Sequence, residues 1–381
     1  LAQPAELYRA LGGAAGCRTL ATAFYAHVEQ DPVLRPLFPS TFTCAIEALS
    51  AFLVQFLGGE AAATQRRWWL SLRESHQRFE IGPRERTAWL RAMSATLEDE
   101  SVVVDAGVRR ELAEFFERSS AHLVNKTRMP PPERPLDGEL APLWEEQLAL
   151  DEAVALMRSG DARRCIQLSQ NPVLQARFAR SPAVHASFLA LAVRSRIPGL
   201  RAFAIEQIRA HPSLIHERYY RGRTLLHDAS AAGDIGLVEL LLEMEAGQND
   251  DDTARSLYCV GNECRAPGGG LVVRALLRRN PACLNAAHGV KRCTALHMAA
   301  RRGNVEVIGA LLDLGADIEA RDSAGDTPLR RAVNCNKVEA AKLLLQRGAD
   351  RNSKGSRALT PASAARSSPM ESLFSALKSP S

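Results

Sequence analysis

An all-α chain in two unlike parts is predicted by three observations. Apolar residues in the first 125 positions recur at three- and four-residue spacing rather than in alternation. Prolines at 130, 131, 132, 135 and 142 then interrupt the chain. Beyond them, similar phrases return every 33 residues, with Thr294, Thr327 and Thr360 in register. A chain of 381 residues is also too long for one ordinary core.

Composition narrows the class. Hydrophobic residues make up 46% and aromatics 6%, as in a globular protein light on aromatics. No run of eighteen apolar residues could span a bilayer as a helix, so no membrane partner is expected. The opening Leu-Ala-Gln-Pro lacks the basic and apolar regions of a secretory signal, which points to a cytoplasmic protein. It also lacks Met, which leaves an upstream piece open. The net charge of +5 comes from a basic surplus beyond residue 125, spread thinly and without a Lys/Arg block, so nucleic acid is not expected. Eight cysteines are scattered. Cys259, Cys264, Cys283 and Cys293 with His288 could be assembled into a zinc site. Cys259 and Cys293, however, fall where a helical repeat needs small apolar residues, which favours buried thiols in a reducing compartment.

Four helices can be read in residues 1–125. Leu20, Phe24 and Val28 form the first stripe. Ile46, Leu49, Leu53 and Phe56 form the second, stopped by Gly58-Gly59. Gly82-Pro83 opens the third, with Trp89, Met93 and Leu97, because proline suits the first helical position. Val108, Leu112, Phe115, Ser119 and Leu123 form the fourth. The stretch from Arg66 to Phe79 reads as a loop followed by one or two turns. Residues 126–143 read as an extended, semi-rigid spacer.

His76 is the residue expected to carry chemistry. It sits in Leu72-Arg73-Glu74-Ser75-His76-Gln77-Arg78-Phe79-Glu80-Ile81-Gly82. Ahead of it lie Phe24-Tyr25, then Asp31-Pro32-Val33-Leu34-Arg35-Pro36-Leu37-Phe38-Pro39, then the helix ending at Gly58-Gly59; Trp89 follows. In that order, over residues 7–125, the segment resembles the truncated, 2-on-2 globins of the branch with a distal tyrosine and tryptophan. The resemblance implies haem b with its iron on His76, and a diatomic gas (O₂, or related NO or CO) held by Tyr25 and Trp89. It implies Phe38 against the haem plane, Ala45 and Leu49 at two distal helix positions, and Arg73 near a propionate. The further lining would be Phe52, Leu53, Phe56, Leu72, Phe79 and Met93. With Ala45 there is no distal histidine or glutamine at that position. His27 and His122 are the rival iron ligands. His27 lies two residues from Tyr25, on a different helix face, and His122 falls in the last helical turn. Two departures stand out. Arg67-Trp68-Trp69-Leu70 occupies the place of a Gly-His-Pro-like piece, and Ser75 precedes the ligand where arginine is common. No catalytic residue is assigned.

The second part repeats. Thr294-Ala295-Leu296-His297 leads to Leu311-Leu312-Asp313-Leu314-Gly315-Ala316-Asp317, and Thr327-Pro328-Leu329 leads to Leu343-Leu344-Leu345-Gln346-Arg347-Gly348-Ala349-Asp350. This period and wording resemble the ankyrin repeat, expected over 221–365. Thr224-Leu225-Leu226-His227 starts an earlier unit, and residues 253–288 a divergent one with Gly268-Gly269-Gly270 at its turn. Threonine caps each first helix, and Gly315 and Gly348 end the second helices. His227 and His297 match the motif histidines that tie repeats together; Arg330 stands at that place in the next unit, so the usual tie is expected to be absent there. Residues 144–220 are expected to be helical, as degenerate capping repeats, and 366–381 to form a loose tail. Arg301, Arg302, Arg330 and Arg331 are expected on the surface, where an acidic protein could dock.

The expected function is a haem-binding globin fused to a protein-docking array, with the spacer keeping the two weakly coupled. A haem enzyme consuming NO or peroxide is one alternative. A haem-free, decayed globin carried by an ankyrin scaffold is the other.

Overall fold

The computed structural model describes residues 6–59, 70–77, 79–126, 136–247, 249–355, 359–365 and 367–376. Arg67, Trp68, Trp69, Arg78 and the prolines at 130–132 and 135 lie outside them. Among the described residues there is no strand, and His288 and Cys293 form an isolated bridge. None of the described helices is long and apolar enough to cross a membrane. The chain divides into two compact units: Leu1–Phe188 with Arg218–Gly222, and Leu189–Glu217 with Arg223–Ser381.

The first unit begins with α1 (Glu6–Ala10), α2 (Gly13–Gln30), α3 (Thr43–Phe56), α4 (Leu72–His76), α5 (Pro83–Leu97) and α6 (Ala106–Leu123). Helix α2 buries Cys17, Leu20, Ala21, Phe24 and Val28 against α3 on one side and α5 on the other. It stops at Asp31-Pro32, where the Asp31 carboxylate accepts from the N–H groups of Val33 and Leu34 at 2.8 and 3.0 Å. Helix α3 ends at Gly58, whose φ of +82° suits only glycine without strain. Glu85 accepts from the Gly82 N–H at 2.9 Å and closes the start of α5, while Asp105 caps α6 through Gly107 and Val108.

The same unit continues with α7 (Leu140–Ser159), α8 (Ala162–Ser169) and α9 (Pro172–Arg180). Here the expected organisation needs correcting. Pro142 does not extend the spacer; it sits in the first turn of α7, where its missing N–H leaves no bond unmade. Helix α7 is also not a separate cap, because Leu140, Leu143 and Trp144 join one buried cluster with Phe24, Leu53, Met93 and Phe115. Trp144 meets Phe115 edge-on at 5.8 Å.

The α10 helix (Pro182–Arg194) runs from the first unit into the second, which holds α11 (Pro198–Ala210) and a series of helical pairs. These are α12 (Leu225–Ala232) with α13 (Ile235–Glu243), α14 (Asp250–Glu263) with α15 (Gly269–Arg279), α16 (Ala295–Arg302) with α17 (Val305–Asp313), and α18 (Pro328–Asn334) with α19 (Val338–Gln346). First helices pack on first helices (α12, α14, α16, α18) and second on second (α13, α15, α17, α19), as in a solenoid. The turn expected at Gly268 is present, with φ +97°. Gly261 lets α14 approach α16 closely, since a Cβ there would lie 2.5 Å from the Ala295 carbonyl. Within each motif the histidine is buried. His297 Nδ1 accepts from the Thr294 N–H at 3.2 Å, and its Nε2 reaches the carbonyl of Asp326 in the next unit at 3.0 Å.

Three expectations for this unit are overturned. The tie at Arg330 is not missing: its guanidinium is buried and donates to the Thr360 carbonyl at 2.6 Å. It is therefore not a surface arginine, and Arg331 is half-buried against Asp322; only Arg301 and Arg302 are exposed. Residues 368–376 are no loose tail, because after the short α20 (Pro361–Ala364) they form α21 (Ser368–Ala376), which buries Met370 and Phe374 and packs on α19. An apolar Met-x-x-x-Phe spacing explains this, since i and i+4 share a helix face. Cys259, Cys264, Cys283 and Cys293 are buried, and burial raises each thiol, Cys259 to about 12. Among the described residues no cluster of His, Cys, Asp or Glu could hold a metal ion.

Candidate functional site

Helix α4 is a single turn of five residues, too short to stand by itself. Its N–H groups are met from outside the turn. Ser71 Oγ accepts from Glu74 N–H at 3.0 Å, and the carboxylate of Asp151 on α7 accepts from Leu72 and Arg73 at 2.8 and 3.2 Å. His76 closes the turn. Its Nδ1 lies 2.8 Å from the Leu72 carbonyl and 2.7 Å from Ser75 Oγ, and that hydroxyl itself donates to the same carbonyl at 2.6 Å. A carbonyl only accepts, so the bond to Leu72 is made in the tautomer with the proton on Nδ1, which leaves the lone pair to Nε2. This is the tautomer that a metal ligand through Nε2 requires.

A chain of rings runs from this imidazole across the unit. His76 neighbours Phe79 at 6.2 Å between centroids, Phe79 neighbours Phe38 at 6.0 Å, and Phe38 meets Tyr25 edge-on at 5.5 Å. Tyr25 meets Phe24 at 5.1 Å, and Phe24 meets Trp89 at 5.3 Å. The residues picked from sequence as Tyr25, Phe38, His76 and Trp89 are thus joined through one aromatic network, with Phe24 and Phe79 as links.

Helix α3 adds further half-buried apolar residues. Ala45, Ile46, Leu49 and Phe52 are only half-buried, as are Phe38, Phe79, Trp89 and His76. One turn later on α3, Leu53 and Phe56 are fully buried, Phe56 stacking on Phe115 at 4.7 Å. The lining expected from sequence therefore divides. Leu53, Phe56, Met93 and Leu72 are spent on the protein's own core, while Phe38, Leu49, Phe52, Phe79 and Trp89 are only half-buried against it. Arg73 is exposed at the edge of α4.

The rival histidines are engaged elsewhere. His27 sits on α2 at 3.8 Å from Asp99. His122 bonds Asp151 at 2.8 Å and meets Trp144 edge-on at 5.6 Å. Sequence reasoning missed Phe42, which stacks on Tyr25 at 5.3 Å beneath the Arg35 guanidinium. It also missed Asp151. Phe42 could have been found from its place at the start of the α3 stripe, four residues before Ile46. Asp151 had no sequence signal, because its partners in the α4 turn lie 78 and 79 residues away.

Comparison with known proteins fits this division. Residues 6–125 match the family described as bacterial-like globin, residues 221–253 match the ankyrin repeat, and residues 264–355 match a three-copy ankyrin array. Group 2 truncated hemoglobin YjbI of Bacillus subtilis is 32% identical over 108 residues, covering 28% of this chain and 80% of that protein. The solved hemoglobin of Chloroflexus aurantiacus is 37% identical, covering 32% of this chain and all of that one, at a TM-score of 0.30. Ankyrin repeat and SOCS box protein 16 of Homo sapiens is 33% identical over 151 residues, of which this chain spans 32% of the length. With four-fifths of the bacterial relative covered at that identity, the chain belongs to the bacterial-like, truncated globins, and it carries ankyrin repeats beyond its globin domain.

Proposed function

We propose that the globin domain binds one haem b, with His76 as the protein ligand to iron, and holds O₂ or a related diatomic gas reversibly. One observation carries this reading: the half-buried rings of Phe79 and Phe38 lead from His76 to Tyr25, and His76 Nδ1 lies 2.8 Å from the Leu72 carbonyl. A flat apolar macrocycle suits half-buried aromatic rings, since covering them removes apolar surface from water at about 25 cal/mol per Å². When bound, haem supplies an iron whose sixth position stays open to a diatomic ligand. His76 would hold the metal. Tyr25 and Trp89 carry the O–H and N–H donors that would stabilise a partly negative oxygen, and Ala45 offers none. Arg73, exposed on α4, would pair with a carboxylate at the rim.

The ankyrin units would dock a protein. Their inner helices are joined by backbone-directed ties from His297 and Arg330, so the surface is a rigid one. The test of the haem reading is titration of the purified full chain with haem, followed in the visible spectrum. Saturation at one haem per chain, with an O₂ adduct that reverses on removing the gas, is expected. A chain that binds no haem would return the protein to the reading of a plain scaffold, and one that consumes NO or peroxide catalytically would make it an enzyme.

A further inference from the structure

The most heavily bonded polar group near the candidate site does not belong to the globin segment. Asp151 lies on α7, beyond residue 125, and its side chain is 3% exposed. Its Oδ1 accepts from the Leu72 N–H at 2.8 Å and from Gln147 Nε2 at 2.9 Å. Its Oδ2 accepts from the Arg73 N–H at 3.2 Å and lies 2.8 Å from His122 Nε2. Gln147 also donates to the Leu70 carbonyl at 2.9 Å, just ahead of the turn. A buried carboxylate bonded this fully is costly to disturb, since each donor deprived of it would be left unmatched.

The bonds lead to His76 in two steps. Asp151 holds the N–H of Leu72, and the carbonyl of Leu72 holds Nδ1 of His76. A five-residue turn cannot fix its own direction, and a negative group at its start also favours its dipole. Helix α7 therefore supplies two of the bonds that hold the start of the turn.

We propose that Asp151 is a positioning residue for His76: it fixes the turn α4, and through the Leu72 peptide the orientation of the imidazole toward the iron. This rests on the haem reading above. It adds that α7, a helix outside the globin-family segment, completes the proximal side of the pocket, so that the pocket and α7 form one functional piece. Ligand-orienting groups one shell out commonly change metal affinity 10- to 100-fold when removed; acting through a peptide, Asp151 belongs at the lower end.

The test uses the full chain loaded with haem, reduced and free of gas, in wild-type, Asp151→Asn, Gln147→Met and His76→Gly forms. The readout is the iron–imidazole stretching band by resonance Raman. A band present in the wild type and absent in His76→Gly establishes the ligand; any other result there overturns the haem reading itself and the proposal with it. Given that band, Asp151→Asn is expected to shift or broaden it and to speed haem loss by roughly 10-fold. Gln147→Met, which keeps the carboxylate, is expected to move the band less in the same direction. In the haem-free full chain, Asp151→Asn is expected to lose amide-exchange protection at residues 72–74. A folded Asp151→Asn protein with lower thermal stability but an unchanged band would overturn the positioning role. If Asp151→Asn does not fold, an unchanged band in Gln147→Met would overturn it equally.

Discussion

Tyr25 and Trp89 approach the candidate site from two helices, α2 and α5, and share Phe24 as a packing neighbour. A hydrogen bond to a partly charged acceptor contributes about 1.5–3 kcal/mol, or roughly 10- to 150-fold in an off-rate. Tyr25→Phe and Trp89→Phe are each expected to speed O₂ release within that range, and to be non-additive if both donate to one ligand. CO release should change less, because its oxygen carries less negative charge. Stopped-flow release of both gases checks this, and equal acceleration for the two would mean the residues act by bulk alone. A second residue-scale outcome concerns His297. Burial lowers its pKa, opposed by its bond to the Asp326 carbonyl. The unfolded chain thus takes up the proton first. Stability from neutral His297 is intact above its ordinary value near 6.5, and is lost as pH falls from there through the lowered folded value. Corrected amide exchange across α16 should show less protection at pH 5 than at pH 7, and His297→Gln should flatten that dependence. At this scale the sequence was legible where a repeat returns the same residue, as with the buried His227 and His297. It was silent where one residue does another's work, as with Arg330 replacing a histidine tie through a longer reach.

Helices α2, α3, α5 and α6 were readable because each has a one-sided apolar stripe with punctuation at its ends: Asp31-Pro32, Gly58-Gly59, Gly82-Pro83 and Asp105. The repeats were readable because a 33-residue period returns the same capping threonine. The first turn of α7 and the whole of α21 escaped for physical reasons. Proline in the first turn of α7 looks like a breaker although it costs no bond there. Helix α21 has only Met370 and Phe374 to mark its buried face within a Ser/Pro-rich stretch, and their value depends on α19 being in place. Phe374→Ala is therefore expected to destabilise the array by about 3–5 kcal/mol, as for other buried phenylalanines. Urea unfolding followed by α-helical circular dichroism measures this, and an unchanged midpoint would restore the loose tail.

For the molecule as a whole, the boundary that sequence composition suggests and the boundary that packing draws are different. The prolines after residue 129 mark where the globin-family segment ends. The buried cluster continues past them through Leu140, Leu143 and Trp144, and Arg180 of α9 donates to the Phe56 carbonyl at the end of α3 at 3.2 Å. Those contacts join residues more than a hundred positions apart, which no periodicity reports. A piece ending at residue 125 is accordingly expected to fold poorly and to lose haem quickly, while one ending after α10, at residue 196, holds both. Equal stability for the two pieces by thermal melting would show α7–α9 to be an appendage. The central claim, that this globin carries haem on His76, is tested most directly in the full chain by His76→Gly with and without imidazole. The strong Soret absorbance is expected to vanish in the variant and to return when imidazole fills the space of the lost ring. An unaltered spectrum in His76→Gly, without imidazole, would contradict the account.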